Sequence, residues 1–106
     1  MTHVVQIETA VGSESAAASL AAALVEERLA ACVQILGPME STYRWKGAVE
    51  RSTEWLCRAK TTVPRSRAAL ARIRELHSYE QPEILVTSVS DSDDGYLRWV
   101  EEQVEP

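Results

Sequence analysis

The chain has 106 residues, with 11 basic against 16 acidic side chains and a net charge of −5. That length suits one domain spanning residues 1–106 around a single core. The acidic balance argues against a general nucleic-acid binder, whose affinity rests on neutralising phosphates. No apolar run approaches the roughly 18 residues of a membrane-spanning helix. Met1-Thr2-His3 does not open a basic-then-apolar leader, so neither a membrane span nor a signal peptide is expected. With no secretion signal, Cys32 and Cys57 read as reduced thiols of a cytoplasmic protein.

Val4 to Ile7 is a short, β-branched apolar run, read as a first strand. Val11-Gly12-Ser13-Glu14 then turns into a helix, with Ser13 as N-cap and Glu14 favourably placed in the first turn. Ala17, Leu20, Ala21, Leu24 and Leu29 supply its apolar face, and Glu26, Glu27 and Arg28 its solvated side.

The stretch from Ala31 to Thr62 reads as two long strands folded back on each other. The first arm runs to Trp45, with an interruption at Gly37-Pro38, and the second runs from Ala48 to Lys60. Gly47 supplies the positive φ that a tight hairpin turn needs. Met39, Tyr43 and Trp45 share one face, while Glu40, Thr42 and Arg44 share the other. On the return arm Val49, Trp55, Cys57 and Ala59 alternate with Glu50, Ser52, Glu54, Arg58 and Lys60, and Leu56 breaks the pattern. At ~3.3 Å per residue each arm reaches roughly 40 Å, whereas a compact domain of this size has a radius of gyration of about 13 Å. The hairpin tip therefore projects beyond its own core, and a neighbouring subunit is the simplest cover for it. If Gly37-Pro38 is instead a true loop, the arms are ordinary short strands.

Thr61-Thr62-Val63-Pro64 opens a second helix, with Pro64 near its first position. Ala69, Leu70, Ile73, Leu76 and His77 recur at helical spacing, and Arg65, Arg67, Arg72 and Arg74 form an outer, solvated face. Pro82 ends the helical region. Ile84 to Val89 is a further strand, and Asp91-Ser92-Asp93-Asp94-Gly95 caps a last helix whose face is Tyr96, Leu97, Val100 and Val104, with Trp99 to one side. Two βαβ units joined by a hairpin give an α+β fold, the ferredoxin-like βαββαβ sandwich, with a long β-hairpin and an extra C-terminal helix.

Candidate chemistry gathers in Leu76-His77-Ser78-Tyr79-Glu80-Gln81-Pro82-Glu83, at a helix-to-strand junction. His77 is a borderline-soft nitrogen donor, or a hydrogen-bonded, half-buried histidine four residues after Ile73. Glu83 accepts hydrogen bonds from a ligand or pairs with an arginine. Lys60 suits an anion or a salt bridge. Cys32 is a potential soft ligand, although free cysteines are among the most buried residues. There is no CxxC, HExxH or glycine-rich phosphate loop. Counted from Asp91 as a calcium loop, Gly95 falls at position five rather than six, so an acidic helix cap is the better reading. If Met1 is retained, its amine, two amides and the His3 imidazole form a square-planar Cu(II) site.

Three pieces together resemble the divalent-cation tolerance protein CutA family: Glu27-Arg28-Leu29-Ala30-Ala31-Cys32-Val33, Tyr43-x-Trp45-x-Gly47, and Leu76 to Glu83. Lys60-Thr61 and Tyr96-Leu97-x-Trp99 fit as well. The resemblance implies a ferredoxin-like homotrimer whose long hairpins pack between subunits, in the manner of PII signalling proteins. It also implies a role in tolerance of divalent metal ions, with copper(II) or another divalent cation as ligand. By the same resemblance Cys32 and His77 match metal-linked positions. Leu76 stands where some members have a second histidine, and Glu8 where some have a first-strand cysteine. Lys60, Tyr79, Glu83, Tyr96 and Trp99 match pocket positions near a subunit interface. The expected mechanism is binding rather than catalysis. The rival is a PII-like signalling trimer holding a small anionic metabolite between subunits at Lys60, framed by Tyr79, Glu83 and Trp99. An enzyme using His77 and Glu83 as acid and base ranks last, since no nucleophile supports it.

Overall fold

A computed structural model describes residues 3–106, so the N-terminal copper site that needs the Met1 amine lies outside the described residues. The elements follow in the order β1 (Val4–Val11), α1 (Glu14–Glu26), β2 (Cys32–Trp45), β3 (Ala48–Thr62), α2 (Val63–Leu76), β4 (Ile84–Ser88) and α3 (Asp94–Gln103). The strands form one antiparallel sheet in the order β2-β3-β1-β4, the ferredoxin-like arrangement.

Local signals set the helix ends. The Ser13 hydroxyl accepts a 3.1 Å bond from the Ala16 N–H and starts α1. Pro64 stands in the first turn of α2, where its missing N–H costs nothing. The Asp93 carboxylate accepts from the Tyr96 N–H and starts α3. Helices α1 and α2 cover one face of the sheet, where Ile7, Val11, Cys57 and Ala59 meet Ala17, Leu20, Leu24, Ala69 and Ile73. Each large aliphatic side chain fully buried there contributes about 1.5–3 kcal/mol. Helix α3 lies on the opposite face, packing Val100 and Val104 on Val4 and Ala31. Tyr96, expected on the apolar face of α3, is exposed, as is Leu76 at the end of α2.

Strand β1 extends four residues beyond the expected Ile7 and is central in the sheet. Its charged Glu8 lies opposite Arg58 of β3, and the Arg58 Nε donates to Glu8 Oε2 at 2.9 Å. The ion pair keeps a carboxylate in a central strand without leaving it unpaired. Thr9 follows with its back in the core, 1% exposed.

The hairpin is as long as its sequence implies. Trp45 pairs with Ala48 across a two-residue turn in which Lys46 and Gly47 both have positive φ, 49° and 82°. That conformation is a type I′ turn, whose twist matches the strands. Strand β1 pairs with β3 only from Trp55 to Thr62, so Ala48–Glu54 are bonded to β2 alone. Those seven residues form a ribbon reaching about 23 Å past the central sheet. The long axis of the molecule is 45 Å against 26 and 22 Å for the others.

Gly37-Pro38 is neither a loop nor ordinary strand. The register passes from Leu36 opposite Leu56 to Met39 opposite Glu54, so two residues of β2 face Trp55 alone. This is a β-bulge. A Cβ on Gly37 would lie 2.6 Å from Trp55 Cδ1 and 2.9 Å from Cγ. Both atoms are near the root of the indole, where little torsional freedom exists to move them aside. Gly37→Ala is expected to destabilise the fold by about 1–3 kcal/mol through this overpacking. Urea midpoints would measure the loss, and a changed near-ultraviolet dichroism would report the shifted indole. An unchanged midpoint would show that Trp55 rotates away freely.

Candidate functional site

The sequence-derived candidates fall in two places. His77, Tyr79 and Glu83 lie around the end of β1, beneath the base of the ribbon. Cys32, Lys60, Tyr96 and Trp99 lie at the other end of the sheet, beside α3.

At the first place the chain leaves α2 and is latched by His77. The ring Nε2 donates to the Ala10 carbonyl at 2.8 Å, and Nδ1 accepts the Tyr79 N–H at 3.2 Å. This pair of bonds requires the neutral tautomer protonated on Nε2. The Tyr79 ring tilts against the imidazole, with centroids 4.8 Å apart. Its hydroxyl crosses to the ribbon and donates to Glu54 Oε2 at 3.0 Å. Gly12 leaves the room for this, since a Cβ there would stand 3.0 Å from the Tyr79 oxygen.

Between this junction and the ribbon opens a cleft of about 740 Å³. Tyr43, Trp45 and Tyr79 are its aromatic walls. Glu50, Glu54, Glu80 and Glu83 bring four carboxylates, and no lysine, arginine or histidine lines it. Glu54 is only 8% exposed. Tyr79 exposes 37% of its surface, but its hydroxyl end sits against that buried carboxylate. Burial, followed by the bond to Glu54 and its negative charge, pushes the Tyr79 phenol up to about 12.

At the second place Cys32 Sγ lies 3.7 Å from the Tyr96 hydroxyl, whose ring stacks obliquely on Trp99 at 5.8 Å. Burial, then the contact with Cys32, pushes the Tyr96 phenol up to about 12. Lys60 stands opposite Cys32 in the β2–β3 register and donates to Gln34 Oε1 at 2.7 Å. Cys57 is buried, and burial pushes its thiol up. Both cysteines are free.

The two places are far apart within one chain. Cys32 is level with Lys60 and hence with Gln6, four residues along β1 from the Ala10 that holds His77. That is about 13 Å along the strands and about 10 Å across two of them. Both ring nitrogens of His77 are already engaged, so neither offers a lone pair to a metal without breaking a bond of the latch. Glu8 is held by Arg58. Among the described residues no three His, Cys, Asp or Glu side chains are grouped to hold a metal ion. Cys32 and His77 of a single chain therefore do not fit one metal centre.

Sequence reasoning passed over Glu50 and Glu54 as a polar strand face and gave Tyr43 and Trp45 only a shared face of the hairpin. Their meeting with Tyr79 depends on the bulge, and counting Gly37-Pro38 as one extra residue is the signal that would have found it.

The single four-stranded antiparallel sheet, its overlong hairpin and its C-terminal helix define a ferredoxin-like α+β domain without a transmembrane helix among the described residues. A family profile described as CutA1 divalent ion tolerance protein matches residues 5–103, and the chain belongs to that family. It is 42% identical over 92 residues to the divalent-cation tolerance protein CutA of Thermus thermophilus, covering 87% of this chain and 89% of that one. The crystal structure of CutA from Xylella fastidiosa superposes with a TM-score of 0.95 at 35% identity, covering 97% of this chain and 99% of that one. A structure described as the periplasmic divalent cation tolerance protein CutA from Archaeoglobus fulgidus gives 0.93 at 30% identity, with 96% and 99% covered.

An alkaline titration tests the Tyr79–Glu54 contact. The folded chain holds the Tyr79 proton up to about 12, above the ordinary value near 10. Its contribution to stability is thus complete below about pH 10 and declines as pH rises towards about 12. Tyrosinate absorbance should show two late-ionising phenols, those of Tyr79 and Tyr96, of which Tyr79→Phe removes one. Glu54→Gln should bring the Tyr79 phenol to lower pH and leave Tyr96 in place, and no displacement in Glu54→Gln would show that the contact with Glu54 does not raise it.

Proposed function

We propose that this protein is a homotrimer of the response to divalent metal ions, copper(II) foremost, and that it acts by binding rather than by catalysis. The observation that carries the assembly is an uncovered apolar row on the sheet face that α3 covers only at one end. Leu36 and Leu56 are paired across β2 and β3, and Leu85 lies beyond them opposite Glu8. Leu36 is 45% and Leu85 55% exposed. The ribbon adds Tyr43, which is 40% exposed. Both sheet edges, β2 and β4, are unpaired in one chain. A second and third copy would bury this row and cover those edges.

For the ion, membership of a divalent ion tolerance family supports the role. Cys32, half-buried on the same open face, is the softer and freer donor, and its remaining ligands would come from neighbouring subunits. The free thiols support a cytoplasmic location, although the Archaeoglobus fulgidus relative is described as periplasmic. The rival, an anionic metabolite held by Lys60, has less in its favour. Lys60 is bonded to Gln34, and Tyr79 and Glu83 line an acidic cleft away from it.

Solution mass and calorimetric titration of Cu(II) test the proposal together. The wild type is expected to have the mass of three chains, and Leu56→Glu to dissociate it by placing a charge in the apolar row. Cys32→Ser should abolish Cu(II) binding. His77→Ala should chiefly cost stability, about 1–3 kcal/mol, because it strands the Ala10 carbonyl and the Tyr79 N–H. A monomeric wild type would overturn the assembly, and a wild type that takes up no Cu(II) would overturn the copper assignment.

A further inference from the structure

Arg28 stands in a backbone conformation that arginine adopts only at a cost. Its φ is 57°, and apart from Lys46 in the hairpin turn it is the one non-glycine residue with positive φ among the described residues. The position closes α1. The Arg28 N–H donates to the Val25 carbonyl, and the Leu29 and Ala30 N–H groups turn back to the Leu24 carbonyl at 2.9 and 3.2 Å. A left-handed residue that ends a helix in this way is ordinarily glycine, which has no Cβ to crowd the following carbonyl. A role confined to the backbone would favour glycine here.

Both ends of the arginine are engaged instead. Its Nη1 donates to the Gln103 carbonyl at 3.2 Å, at the C-terminal end of α3. Its own carbonyl accepts from Nε and Nη2 of Arg65, in the first turn of α2, at 3.4 and 3.2 Å. One residue thus joins the end of α1, the start of α2 and the end of α3. No carboxylate pairs with Arg28 among the described residues. Helix α3 has no basic residue in its own last turn, so the guanidinium brings the positive charge that a helix C-terminus favours.

What α3 carries depends on how it lies. Val100 and Val104 seat its second half on Val4 and Ala31, and the Tyr96 hydroxyl near its start lies 3.7 Å from Cys32 Sγ. After the Arg28 turn the chain enters the sheet directly, with the Ala31 N–H donating to the Lys60 carbonyl and Cys32 opening β2. The turn that grips α3 and the strand that α3 meets are one continuous piece of backbone.

We propose that Arg28 is a positioning residue, whose side chain fixes α3 beside the start of β2 and so holds the Tyr96 hydroxyl against Cys32. The left-handed strain is kept because glycine could close α1 but could not reach α3. Only the consequence for copper rests on reading Cys32 as a metal-binding thiol.

Hydrogen exchange of the metal-free protein, read segment by segment with the assembly mass measured on each sample, tests the grip on α3. Arg28→Gly removes the side chain and suits the left-handed backbone. Its α3 amides should exchange about three- to tenfold faster than in the wild type, while those of β1, β3 and the end of α1 exchange no faster. Arg28→Lys, which keeps a charged donor on a long stem, should restore part of the protection. Arg67→Gln, which removes the same charge from an exposed position on α2, should leave α3 unchanged. Unchanged α3 exchange in Arg28→Gly would show that Val100 and Val104 hold the helix unaided and would overturn the proposal. Faster exchange spread equally over β1, β3 and α3 would make Arg28 a prop of global stability and overturn it too. The link to the thiol is read from the β-carbon resonances of labelled cysteine. In Arg28→Gly the Cys32 signal should move in the same direction as in Tyr96→Phe, with Cys57 in place, and an unmoved Cys32 signal would break the link. Neither readout involves copper, so a failed copper titration and a failed Arg28 test are separate results.

Discussion

The bulge opposite Trp55 is the constraint on which the rest of the molecule depends. Side chains alternate with a period of two along a strand, so one unmatched residue moves every later side chain to the other face. Before the bulge, Leu36 shares the open face with Leu56 and Arg58. After it, Met39 shares that face with Glu54, and Tyr43 with Glu50. Without the extra residue Tyr43 and Trp45 would point away from Tyr79, and the acidic cleft would lose two of its aromatic walls. Gly37 is what makes the bulge compatible with the indole beside it, because no Cβ stands between them. A backbone irregularity at one edge of the sheet thus fixes the composition of a site roughly two strands away.

The junction completes what the bulge begins. His77 spends both ring nitrogens on holding the chain between Ala10 and Tyr79, which makes it a structural clasp in a single subunit. The clasp delivers the Tyr79 hydroxyl to Glu54. One neutral donor stabilises a buried carboxylate without neutralising it, so the negative potential of the cleft survives. Had an arginine stood in place of Tyr79, the pair would resemble Glu8–Arg58 in the middle of the sheet, where the two charges satisfy each other. The contrast separates a carboxylate used for pairing strands from one left facing a cavity.

Much of the architecture was legible in the residues. Ser13, Pro64 and the acidic run before Gly95 mark helix starts through local hydrogen bonding and fixed φ, which need no tertiary context. The hairpin was legible because two long alternating arms meet at Lys46-Gly47. Strand β1 was cut short in the sequence reading because Glu8 finds its partner fifty positions away, and a pairing of that separation leaves no local trace. The site was less legible for the same reason. Tyr79 and Glu83 stood out, but Glu54 looked like one more solvated residue of a polar strand face until the ribbon folded over it. Lys60, Tyr96 and Trp99 were grouped with them although the sheet carries them to its other end.

The open face joins these two ends. On the trimeric reading, whatever buries Leu36, Leu56 and Leu85 also approaches the mouth of the cleft, because the bulge sets both on one side of the sheet. Covering that mouth would exclude water from carboxylates that are now partly solvated. The attraction between a carboxylate and a cation grows several-fold as the effective dielectric falls from that of water towards the ~20 typical of protein surroundings. Repulsion among Glu50, Glu54, Glu80 and Glu83 would grow by the same factor. Assembly would therefore strain the cleft unless the arriving surface brings donors or positive charge to those carboxylates, so the register of one hairpin also sets what a neighbouring copy must present there.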